Sequence, residues 1–93
     1  MGTDSEDKQV LLRNFRATLA FWKDTREKVE ESASAPGDLA DQHNTWLKLH
    51  RLNTEGLKIL FAHAERRGVD ETELSQAAGI SPDELRGIRE TLN

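Results

Sequence analysis

The stretch Glu71–Leu92 constrains this chain more than any other, because local signals fix where its helices start and stop. Leu74, Ala77 and Ala78 give a first short helix an apolar face of small residues. Gly79 supplies the left-handed backbone conformation that ends such a helix cheaply. Ile80 then turns back toward a core. Ser81-Pro82-Asp83-Glu84 combines an N-cap serine, a proline at the first helical position and a capping-box glutamate. Leu85, Ile88 and Leu92 come next at helical spacing with charges between them. The expected local structure is a short helix, a tight glycine turn and a second helix crossing the first.

Upstream, the pattern is helical as well. Residues 1–7 are polar and acidic and are expected to form a disordered tail, with Asp4 or Ser5 capping the first helix. From Lys8 to Glu31, Leu12, Phe15, Leu19, Trp22 and Val29 recur at steps of three and four, interrupted by Arg26. Leu11 and Phe21 lie beside this seam and widen it. A helix of more than six turns is longer than a small domain covers, so Leu12, Phe15, Leu19, Trp22 and Val29 are expected to form the homodimer interface of a dimerisation arm, the alternative being that the helix packs along its own domain. Residues 32–37, Ser-Ala-Ser-Ala-Pro-Gly, read as a linker. Asp38 reads as the cap of the next helix, with Leu39, His43, Trp46, Leu47 and His50 on one face and Leu49 and Leu52 extending it. Asn53-Thr54 is expected to break that helix and cap a third, bearing Leu57, Leu60, Phe61 and Ala64, with Ile59 added to its apolar side. Gly68 stands after Arg66 and Arg67 where a C-terminal cap belongs, and Asp70 with Glu73 form a further capping box. The fold class is all-α with five helices: a long N-terminal helix over 8–31 and a compact domain over 38–93 whose final pair is the segment 70–92.

Leu74, Ala78, Gly79, Ile80, Leu85 and Ile88 resemble the structural positions of the helix-turn-helix in bacterial and phage repressors and in sigma-factor DNA-binding regions. Ser75 stands where alanine or glycine is commoner. The resemblance spans about a quarter of the chain and concerns scaffold positions. It implies that the second helix enters the major groove with Pro82, Asp83, Arg86, Gly87 and Glu90 outward, Arg86 being suited to a guanine edge. Phosphate contacts would come from Lys48, Arg51, Lys58, Arg66 and Arg67.

Charge placement pulls the other way. The chain carries −4 in all. From Val69 onward, Asp70, Glu71, Glu73, Asp83, Glu84 and Glu90 oppose only Arg86 and Arg89, so the whole net charge lies on the stretch that would approach phosphate. Between Asn44 and Arg67 five bases face two acids. Two functions are consistent with these residues. One is a small dimeric helix-turn-helix regulator or accessory DNA-binding protein. The other is a non-catalytic helical interaction module whose acidic C-terminal face meets a protein and not DNA.

Other chemistries find little support. His43 and His50 are seven apart, whereas chelation from one helix favours a spacing of four, so no metal is expected. The carboxylates sit at helix starts, where capping explains them. The six glycines are scattered and form no phosphate loop. Trp22 and Trp46 lie on apolar stripes and read as core. No enzyme, cofactor or small-molecule ligand is expected. The chain has no cysteine, no membrane-length apolar run and no basic-then-apolar leader, and Glu6 spoils a Met1-Gly2 myristoylation pattern. A cytoplasmic protein is the expectation.

Overall fold

The computed structural model describes residues 3–33 and 40–92, with side chains from Glu6 to Ala33 and from Asp41 to Leu92. Four helices make up the described residues: α1 (Thr3–Ala33), α2 (Ala40–Arg66), α3 (Glu71–Ala78) and α4 (Pro82–Leu92). No strand occurs among them. The fold is all-α, with a long first helix, as the periodicity predicts.

α1 and α2 form an antiparallel hairpin. Each step forward on α1 is met by a step back on α2: Asp7 with Arg67, Phe15 with Phe61, Trp22 with Thr54, Thr25 with His50, Ser32 with His43. α3 and α4 pack on one side of this hairpin, and the molecule measures 55 × 25 × 21 Å. One apolar cluster joins all four helices. Leu11, Phe15, Leu19 and Trp22 come from α1, Leu57, Phe61 and Ala64 from α2, and Val69 from the link. Leu74 of α3 and Leu85, Ile88 and Leu92 of α4 complete it. Phe15 and Phe61 meet edge to face, 5.2 Å between centroids at 77°, the arrangement that ring quadrupoles prefer.

Three expectations are corrected. α1 starts at Thr3, so the predicted tail is helical from there on, and Asp4 and Ser5 lie within the helix and not at its start. Met1 and Gly2 lie outside the described residues, as do most of the linker over 32–37 and the Asp38 cap; Ser32 and Ala33 belong to α1. Second, α1 is no detached arm. Phe15, Leu19 and Trp22 of the seam are buried by the chain's own helices, and Leu12 and Val29 are half-buried, so this seam is not the face that a second copy would meet.

Third, α2 runs unbroken through Asn53-Thr54, giving four helices where the sequence pattern implies five. Polar residues of this type end helices when their side chains compete for nearby backbone groups. Here those side chains have other partners. Thr54 Oγ1 donates to the His50 carbonyl one turn back and accepts from Trp22 Nε1 at 3.0 Å. Asn53 Nδ2 reaches Thr25 Oγ1 at 3.4 Å. Replacing Thr54 with valine keeps the shape but leaves the indole N–H without its acceptor. The expected loss is about 1 kcal/mol in urea unfolding, with helix content unchanged.

Hydroxyl contacts of the same kind cross the half of the hairpin beyond α4. His43 Nδ1 lies 2.7 Å from Ser32 Oγ, and His50 Nδ1 lies 3.0 Å from Thr25 Oγ1. His50 is also stacked at a tilt on Trp22, 5.4 Å away. Burial, and then the charge of Arg26, lower the pKa of His50 below its ordinary 6.5. A depressed histidine pKa means the unfolded chain binds the proton first. Stability is therefore expected to be level above pH 6.5 and to fall as pH drops from there toward the folded pKa. Urea unfolding at a series of pH values checks this, and His50→Gln is expected to flatten the slope.

Candidate functional site

The turn between α3 and α4 is built as its sequence demands. Asp70 caps α3 by accepting from the Glu73 amide at 2.9 Å. Gly79 adopts φ 73°, and the Ile80 amide closes the helix end on the Ser75 carbonyl at 3.0 Å. Ser81 Oγ accepts from the Glu84 amide at 3.1 Å, which starts α4. Ser75, the departure from alanine, is buried without cost because its hydroxyl donates to the Thr72 carbonyl at 2.9 Å. The two glutamates that come after the caps turn to α1. Glu73 pairs with Lys8, and Glu84 pairs with Lys23 at 3.2 Å. Both pairs are partly exposed to solvent, so each contributes only ~0–1 kcal/mol.

Leu85, Ile88 and Leu92 face the core, which leaves Pro82, Asp83, Arg86, Gly87 and Glu90 on the outward, exposed side of α4. A side chain in place of Gly87 would meet nothing within 4 Å, so this surface is open. Its charge is negative. Arg86, the base expected to read DNA, has its guanidinium 3.4 Å from Glu71 and 3.7 Å from Asp83. Arg89 is held more closely, 2.8 Å from Glu65, with its guanidinium over the Phe61 ring. Asp83 and Glu90 are exposed. Glu71, from α3, is the residue that sequence reasoning misses here. It lies fifteen positions before Arg86, beyond any local helical spacing, and only the crossing of α3 and α4 brings the two together.

The supporting bases are dispersed. Lys58 lies beside the last turn of α4, in a groove shared with Phe61, Glu65, Arg89 and Leu92, and pairs with Glu55 at 3.5 Å. Arg67 is held by Asp7 at 2.9 Å, at the start of α1. Lys48, Arg51 and Arg66 are exposed on α2 and have no carboxylate within 4.0 Å among the described residues. No group of three potential metal ligands occurs among the described residues. No described helix is long and apolar enough to cross a membrane.

The chain matches no protein-family model, and no curated protein or solved structure shows significant similarity to it.

Proposed function

We propose that this chain is a non-catalytic helical interaction module that binds a protein, through the exposed acidic surface of α3 and α4. The observation that carries this reading is the state of Arg86. The one outward base of α4 lies between Glu71 and Asp83, while Asp83 and Glu90 stand exposed beside it. A duplex approaching this helix would meet carboxylates where counterion release needs bases. The complementary partner is a basic protein segment, whose lysines and arginines would gain what phosphates would lose. The test is a binding titration with a lysine- and arginine-rich peptide, against wild type and against Asp83→Lys with Glu90→Lys. Binding by the wild type that weakens about tenfold or more in the double variant supports the reading, each exposed contact being worth up to ~1 kcal/mol. Equal binding, or none, contradicts it.

One observation favours the DNA-binding reading: the outward side of α4 is uncovered, and the turn before it is fully formed. That reading requires Arg86 to leave Glu71 for a base edge. It expects Arg86→Ala to reduce sequence-specific binding by ~1–3 kcal/mol.

A further inference from the structure

We propose that the side of the α1–α2 hairpin turned away from α3 and α4 is the interface through which two copies of this chain join into a four-helix bundle. The exposed large hydrophobic residues among the described ones are Val10 (51%), Phe21 (63%), Leu49 (41%), Leu52 (69%) and Ile59 (56%). Lys8 and Lys23 mark the side of α1 that meets α3 and α4, through Glu73 and Glu84. Val10 is thirteen positions from Lys23, and Phe21 thirteen from Lys8. At about 100° per residue, both fall on the far side of α1. On α2, Leu52 is likewise nine positions from Phe61 and thirteen from Glu65, the residues that face α4 through Arg89, and so points away from it. The two helices share this far side, because Val10 and Asn14 of α1 line one groove with Leu60 and His63 of α2, closed at one end by the Asp7–Arg67 pair.

Three observations select a second copy as the occupant. The first is spacing. Positions 10, 14, 17 and 21 on α1, and 49, 52, 56, 59 and 63 on α2, recur by alternating threes and fours. This is a second coiled-coil seam on each helix, beside the one that joins α1 to α2, and a four-helix bundle uses both. The second is charge. Position 14 is asparagine, 17 alanine, 56 glycine and 63 histidine, so between 10 and 21 on α1 and between 49 and 63 on α2 the seam holds no carboxylate, lysine or arginine, and Asp7, Asp24 and Arg66 stand only at its ends. The acids that give the chain its −4 beyond Val69 lie on the opposite side of the hairpin, so two copies joined here keep their like charges apart. The third is area. The paired stretch of the hairpin, from Asp7–Arg67 to Ser32–His43, is ~38 Å long and two helices wide, ~20 Å, and offers ~750 Å² per copy with its uncharged seam at the centre, close to the ~800 Å² that a stable interface buries.

The inference is independent of what α3 and α4 bind, and it has a consequence for them. In such a dimer the two acidic surfaces point away from each other. They would hold two partners at opposite ends, and could not set two α4 helices into successive grooves on one side of a duplex.

Light-scattering mass across a concentration series tests the inference, using the full chain and the variants Phe21→Glu and Leu52→Glu. Both positions are exposed, and circular dichroism verifies that the fold is kept. The expected result is a wild-type mass twice the monomer's 10.5 kDa. Each variant should fall to the monomer mass, or dissociate at a roughly hundredfold higher concentration than the wild type, because a carboxylate would be desolvated at the seam. A monomeric wild type at all concentrations overturns the inference. So does a dimer that both glutamate variants leave intact, which would place the contact elsewhere. A wild type that stays monomeric while a foreign helical peptide saturates this face also overturns it in favour of another partner. None of these outcomes bears on the binding titration of the acidic surface.

Discussion

Phe15→Ala is expected to destabilise the protein by about 3–5 kcal/mol, among the largest effects of any single truncation. Phe15 is fully buried, its ring meets Phe61 edge to face, and it stands where α1 and α2 share the core with α3 and α4. Removing the ring deletes transfer energy and leaves a cavity that four helix backbones cannot all close. For a domain of 93 residues, each kcal/mol lowers the melting temperature by roughly 4–8 °C, so a fall of about 12–40 °C is expected. Thermal unfolding followed by circular dichroism reads it. A loss below about 1 kcal/mol would mean that α1 is a separable arm after all.

Leu85→Ala is expected to cost about 2–4 kcal/mol, an effect of a different kind. Leu85 is 1% exposed and seats the first turns of α4 on the core. α4 has only 11 residues, too few to persist as a helix in water without that packing. Its loss should therefore open α3 and α4 before the hairpin opens. Hydrogen exchange should show protection falling first in residues 71–92, while amides around Phe15–Trp22 and Leu57–Phe61 keep most of theirs. Uniform loss of protection would instead mark a single cooperative unit.

How much of this fold is legible in the sequence depends on distance along the chain. The α3–α4 segment can be read nearly residue by residue, because Asp70, Gly79, Ser81 and Pro82 act on backbone within one turn of themselves. The long α1 is legible from its periodicity, but its partner is not. A seam of Phe15, Leu19 and Trp22 looks the same whether α2 or another copy covers it. Asn53 and Thr54 mislead for a related reason: their role is to meet Thr25 and Trp22 across the hairpin, about thirty residues away, and local rules see only the helix they threaten to break. The tie between Glu71 and Arg86 has no local signal either. The open face does leave one. Val10 and Phe21, with Leu49, Leu52 and Ile59, keep a heptad phase of their own, which in the sequence alone looks like a broadening of the first seam.

Whether the exposed surface of α4 meets a protein, as proposed, or DNA is decided by a mobility-shift titration. The full chain would be titrated against random-sequence duplex DNA at low and at moderate salt. The expected result is no shift even at low salt, where electrostatic binding is strongest. A shift at low salt that weakens steeply as salt rises, and that Arg86→Ala diminishes, would contradict the claim and return α4 to the major groove.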